Sequence, residues 1–159
     1  MFFSSKTKNS TISLSTPANF PSSNPSTTFA KVIKVYDGDT IEIDTGQKVR
    51  YIGVDTTEIY PSQKCFSQEA KSENESLVLD KTVELVKDVN NTDKYGRLLR
   101  FVYFTDPNSG KHIFVNDFLV RAGFAKVMTV PPDTEYKDQF TDSENYAKEN
   151  KLGLWGKCF

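Results

Sequence analysis

The sequence predicts an α+β domain built around a small, closed five-stranded β-barrel carrying three helices. Three observations predict it. Five short segments rich in β-branched and aromatic residues follow one another from Ala30 to Phe104. Compact turn sequences separate several of them. Three stretches with apolar residues at helical spacing are inserted among these segments or follow them. Short strands with inserted and appended helices must bury one face against a common core, and a barrel of the OB type does this within one domain.

The predicted strands are Ala30–Tyr36, Thr40–Asp44, Lys48–Ile52, Thr82–Lys87 and Leu98–Phe104. Ile41 and Ile43 alternate with Thr40, Glu42 and Asp44, the period of a half-buried strand. Thr45-Gly46 supplies a tight hairpin, and Pro107-Asn108-Ser109-Gly110 a looser turn before a further extended segment, His112–Val115. The first helix, Ser67–Leu79, carries Ala70 and Leu77 on one face. Asn116 is expected to cap a short second helix with Val115, Leu119 and Ala122 along one side, stopped by Gly123. Tyr136, Phe140 and Ala147 recur at helical spacing in the third, Thr134–Asn150, which ends at Lys151-Leu152-Gly153.

Ahead of this domain, residues 1–28 are dominated by Ser, Thr, Asn and Pro and read as a flexible tail. They lack the apolar stretch and small-residue cleavage site of a signal peptide. The folded domain is assigned to residues 29–159. Nowhere does an apolar run approach the roughly 20 residues of a membrane helix.

Charge narrows the function. With a net charge of −1 and a pI near 5.9, the chain is not a coat for nucleic acid, whose binders rely on many Lys and Arg contacts to phosphate. Any positive charge that acts on phosphate must be gathered locally. The two cysteines, Cys65 and Cys158, sit in no CxxC pair, which excludes thiolate zinc sites and thioredoxin-like chemistry. They are open to two readings, free thiols or one bridge. The sole histidine, His112, lies in a polar turn and is read as a surface residue. Ser-His, Cys-His and zinc-histidine catalysis are thereby excluded.

Three segments carry chemistry: Asp37-Gly38-Asp39-Thr40, Arg50–Glu58 and Thr92–Arg97. Singly, each is ordinary turn or loop material, and Asp37 reads as a cap on its own turn. Arg50 alone would be a strand arginine reaching solvent, and Arg97 a surface partner of Asp93. Jointly they place aspartates, a glutamate and two arginines at strand ends. Phosphodiester hydrolysis needs these residue types. A hard cation neutralises a phosphate oxygen, arginine forks hold two more, and a free carboxylate takes the proton of the attacking water.

Those segments give the chain a resemblance to the staphylococcal nuclease family. The matching runs are YDGDT (36–40), VDTTE (54–58) with Arg50 upstream, TDKYGR (92–97), VNDFLVRAGFAKV (115–127) and ENKLGLW (149–155), in the family's order. The resemblance implies a five-stranded OB barrel with three helices and a calcium-dependent endonuclease acting on DNA and RNA, leaving 3′-phosphate and 5′-hydroxyl ends. By motif position it implies Asp39, Asp55 and the Thr56 carbonyl as calcium ligands, and Glu58 as general base. Arg50 and Arg97 would bind the phosphate and stabilise its transition state, and Lys94 and Tyr95 would contact substrate.

The chain departs from the family in two places. Thr57 stands where the family has proline, freeing the backbone before Glu58. Met128-Thr129-Val130-Pro131 replaces tyrosines that line the nucleotide pocket, which weakens or reshapes base stacking. Trp155 and Phe66 are read as packing residues. The rival functions are a catalytically silent OB-type nucleic-acid-binding module, and a plain single-strand binder that the acidic pI disfavours. The chain is read as a monomer. The polar tail, a calcium requirement and a possible Cys65–Cys158 bridge point to an extracellular or cell-envelope location.

Overall fold

The computed structural model describes residues 26–60 and 62–159. The elements run β1 (Thr27–Val35), β2 (Thr40–Ile43), β3 (Lys48–Tyr51), β4 (Val54–Asp55), α1 (Ser67–Val78), β5 (Thr82–Val86) and β6 (Leu98–Thr105). They continue with β7 (His112–Phe114), α2 (Val115–Arg121), β8 (Lys126–Val127), α3 (Lys137–Glu149) and the single turn α4 (Leu154–Lys157). The expected tail lies outside the described residues through residue 25, and Thr27 and Thr28 already pair with Val86 and Leu85.

Five strands close a barrel. β1 pairs antiparallel with β2 on one side and β5 on the other; β2 continues antiparallel to β3, and β5 to β6. The ring shuts through a parallel contact of β3 with the start of β6, Val49 opposite Leu98 and Tyr51 opposite Arg100. Closure removes the free edges that an open sheet would expose. The far end of β6 carries β7 as an extra strand. The fold is therefore the predicted α+β barrel with three helices and one added helical turn.

The interior follows the strand period. Val32, Ile41, Val49, Val83 and Val102 are fully buried, with Leu85 and Phe101 almost so. Phe101, Phe114, Tyr136 and Phe140 gather α3 onto β6 and β7, with Phe101 and Tyr136 edge to face at 4.7 Å. The buried line of α1 is Ala70, Asn74 and Val78, so Leu77 lies to one side and is only half-buried.

Asn116 differs from expectation. It is buried inside α2, whose cap is Phe114. Its side chain accepts the Val102 N–H at 2.9 Å and donates to the Ile52 carbonyl at 2.9 Å. Pairing buried backbone groups that the barrel leaves open is worth more than satisfying a solvent-facing helix end.

Cys65 and Cys158 form a disulfide across 93 residues of sequence, joining the segment before α1 to the end of α4. Phe66, adjacent to it, packs on Phe124 with ring centroids 5.5 Å apart. Trp155 is half-buried and stacks on Phe159 at 5.3 Å.

Candidate active site

The three singled-out segments meet at one end of the barrel. Asp39 comes from the turn between β1 and β2, which Asp37 shapes by accepting the Asp39 N–H at 3.0 Å. Gly38 makes the turn possible. A β-carbon there would stand 2.5 Å from Thr56 Cγ2 and 2.8 Å from Ala70 Cβ. Gly38→Ala is expected to push the turn off α1 and the Thr56 strand end, lowering unfolding free energy by about 1–3 kcal/mol in urea titration. A wild-type midpoint would show that the neighbours yield freely.

Asp39 is 5% exposed and hydrogen-bonded through both oxygens, with Oδ1 accepting a single bond. Its Oδ2 accepts the Thr56 N–H at 2.8 Å and the Thr56 hydroxyl at 3.1 Å, and Oδ1 accepts the Thr40 hydroxyl at 3.0 Å. Arg50, on β3, is 8% exposed. One terminal nitrogen donates to the Tyr51 and Val54 carbonyls, both at 2.7 Å. The other lies 3.1 Å from Asp55 Oδ1 and 3.4 Å from Asp39 Oδ2. Arg50 therefore does not reach out to solvent. It bridges two carboxylates that come from opposite ends of a connection.

Asp55 is the last residue of β4, a two-residue strand held antiparallel to β8 through Val54–Val127 and Asp55–Lys126. Glu58 follows on an exposed loop. The Glu58 carbonyl accepts the Lys64 N–H at 2.9 Å, and the Thr57 hydroxyl donates to the Cys65 carbonyl at 2.7 Å. The backbone freedom expected from threonine in place of proline is thus met by a hydrogen bond to the disulfide-bearing residue.

Arg97 enters from the loop ahead of β6. Its Nε donates to Asp93 Oδ2 at 2.7 Å, and Asp93 Oδ1 accepts the Tyr95 and Arg97 N–H groups at 2.9 and 3.0 Å. Burial pushes the Asp93 carboxyl up, but the Arg97 bonds outweigh it and hold it below the usual carboxylate range. The surface pairing of Arg97 with Asp93 is real, and it also fixes the guanidinium beside the cavity.

Asp37, Asp39, Arg50, Asp55, Glu58 and Arg97 all line one cavity of about 700 Å³. Lys94 and Tyr95 line its rim, both exposed, with the ammonium 5.1 Å from the ring centroid. Thr56 stands behind Asp39 and is 4% exposed. Met128 and Val130, from the segment that departs from the family, face the same cavity. His112 does not line this cavity; it is exposed and stacked on Tyr103.

Two lining residues escaped the sequence reading. Asp37 does cap its turn, yet it also faces the cavity, a second role that no local pattern encodes. Asp133 is 5% exposed and accepts the Val89 and Asn90 N–H groups at 2.9 and 2.8 Å, fastening the Arg97 loop to the segment before α3. No sequence signal marks it, because its partners are over forty residues away.

The cavity is crowded with negative charge. Burial, then the charge of Asp39, pushes the Asp37 carboxyl up to about 7. Burial, then Asp39, raises Asp55 as well, against the pull of Arg50. Among the described residues, no three His, Cys, Asp or Glu side chains are drawn together tightly enough to cage an ion unaided. Around Asp39 and Asp55 the wall offers the carboxylate oxygens of Asp37 and Glu58, and it carries no histidine or cysteine. Such a set fits a hard divalent cation that keeps much of its water shell.

A closed OB-type barrel with carboxylates and two guanidinium groups around one cleft defines a domain suited to handling phosphate esters. The chain belongs to the staphylococcal nuclease homologue family, which matches residues 48–157. It is 39% identical over 132 residues to endonuclease YncB of Bacillus subtilis, covering 78% of this chain and 60% of that protein. It is 32% identical over 131 residues to a thermonuclease of Staphylococcus hyicus, covering 79% of this chain and 74% of that one. An uncharacterized protein of Methanocaldococcus jannaschii is 34% identical over 151 residues, covering 80% and 71% of the two chains.

Proposed function

We propose that this protein is a calcium-dependent endonuclease that hydrolyses phosphodiester bonds in DNA and RNA. The observation that carries the reading is the convergence of Asp39, Asp55, Glu58, Arg50 and Arg97 on a single cavity. Family membership, with relatives named endonuclease and thermonuclease, supports it.

Asp39, Asp55 and the Thr56 carbonyl would hold the calcium ion, which supplies positive charge against a phosphate oxygen. The remaining steps belong to the chain's own residues. Arg50 and Arg97 grip the phosphate and oppose the charge that grows on its oxygens as water adds. Arg97 does so with its plane fixed by Asp93, so little rotamer freedom is lost on binding. Glu58, exposed at the mouth, takes a proton from the attacking water as its oxygen bonds to phosphorus; the bond to the 5′-oxygen breaks and that oxygen takes a proton from solvent water, leaving a 3′-phosphate and a 5′-hydroxyl. Lys94 and Tyr95 contact the neighbouring nucleotide at the rim. Hydrophobic Met128 and Val130, 42% and 56% exposed, offer this nucleotide contact area in place of aromatic stacking.

The disulfide favours an oxidising compartment, and we place the protein outside the cell or in its envelope. It acts as a monomer, a state that sedimentation would test. No described helix is long and apolar enough to cross a membrane.

The activity is tested with heat-denatured DNA and with RNA, incubated with calcium or with a chelator and run on a gel. Degradation with calcium and none with chelator is the expected result. Intact nucleic acid in both lanes refutes the enzyme and leaves a silent binding module.

A further inference from the structure

A second, smaller concavity of about 230 Å³ adjoins the first. It is lined by Tyr36, Thr40, Lys48 and Tyr60 together with Asp37, Glu58 and Arg97. The last three also line the larger cavity, so Glu58 and Arg97 stand on the boundary between two hollows. Tyr36 is half-buried on the outer surface of the barrel. The Lys34 and Lys48 ammonium groups each lie 4.4 Å from its ring centroid. Both lysines are exposed, and among the described residues neither reaches ion-pair distance of a carboxylate. Tyr60, 80% exposed, adds a second ring to the same hollow.

Glu42 stands opposite both lysines in the sheet and accepts the Tyr36 hydroxyl, so one carboxylate is set against two ammonium groups on one aromatic ring. That local excess of positive charge, in a chain of net charge −1, makes a counterpart to a polyanion carrying flat rings. A phosphodiester gripped at Arg97 must send its chain away in two directions, and two hollows open on either side of Arg97 and Glu58. We propose that the Tyr36 hollow is a second nucleotide subsite. It takes the nucleoside on the other side of the scissile phosphate against Tyr36, while Lys34 and Lys48 hold the next phosphate along a single strand. The proposal rests on the nuclease reading. It makes the protein an enzyme that prefers oligonucleotides to dinucleotides.

The test compares the double variant Lys34→Ala/Lys48→Ala with a control, Lys111→Ala/Lys137→Ala, which changes net charge equally at two other exposed lysines. Hydrolysis of octathymidylate and of dithymidylate is measured with calcium. Binding of labelled octathymidylate to each double variant in a Glu58→Gln background is followed by anisotropy across a salt series. The Lys34/Lys48 variant should raise KM for octathymidylate about tenfold with kcat unchanged, and leave dithymidylate, which has no next phosphate, unaffected. Its slope of log K against log salt should be shallower by about 0.7 for each lost phosphate contact. Tyr36→Leu should raise KM for both substrates by about five- to tenfold. If the parent cuts both substrates while the Lys34/Lys48 variant matches the control in KM and salt slope, this subsite is refuted and the nuclease stands. If the parent cuts neither substrate, the nuclease reading itself fails, and this subsite with it.

Discussion

Glu58→Gln is expected to lower kcat by about two to four orders of magnitude, the range a positioned general base contributes. Affinity for calcium should hardly change, because Glu58 is not among the proposed ligands. The folded structure should not change either, since Glu58 is exposed and its backbone carbonyl, not its side chain, makes the Lys64 hydrogen bond. Single-turnover hydrolysis of denatured DNA gives the first quantity, calorimetric titration with calcium the second and urea unfolding the third. Wild-type turnover in the variant would move the base role to another group, and Asp37, the other carboxylate shared by both hollows, would be the next to examine.

The second large effect separates the two arginines. Arg50→Met and Arg97→Met are each expected to reduce turnover by about a hundred- to a thousandfold, the cost of removing one preorganised donor from a charge-developing transition state. Their effects on stability should diverge. Arg50 is buried, donates to two backbone carbonyls and bridges Asp39 and Asp55. Removing it strands those carbonyls and leaves buried Asp39 without its cation, a loss of about 3–5 kcal/mol for a broken buried pair. Arg97 and Asp93 are partly exposed, at 28% and 16% of their side chains, and water rehydrates both after substitution. The loss there should stay within about 1 kcal/mol. Urea unfolding of the two variants side by side checks the contrast, and equal destabilisation would mean that the Asp93–Arg97 loop bears on the whole fold. Calcium should recover part of the Arg50→Met loss, because a bound cation replaces the missing positive charge between the two aspartates.

Much of this site is legible in the sequence, for a physical reason. The turn at Asp37–Asp39, the Arg50–Glu58 connection and the Thr92–Arg97 loop each owe their shape to local chemistry: an Asx turn, a strand end and an aspartate gathering backbone N–H groups. Local chemistry is written locally. The alternation at Ile41 and Ile43 likewise announced a strand with one face inward, and both are buried. What stayed hidden depends on distance. The parallel contact of β3 with β6 that shuts the barrel links Val49 to Leu98, and no periodicity in either segment specifies the other. β4 and β8 are two residues each, too short for any pattern, yet they set where Asp55 stands. Asn116 departs from the expected cap because a helix-start asparagine usually faces solvent, whereas here its side chain pairs with buried backbone groups of β6 and of Ile52. The cysteine pairing was undecidable from spacing alone, and the folded chain decides it.

That bond has a topological consequence. Residues 65 to 158 form a covalent ring that contains α1, β5 to β8, α2, α3 and α4, along with Arg97. A protease nick at the exposed turn around Asn108 would open the ring without releasing either piece, since both halves remain anchored through the same sulfur atoms. The half that carries Asp39, Arg50, Asp55 and Glu58 would keep hold of the half that carries the C-terminal end, so backbone scission on that side need not disperse the molecule.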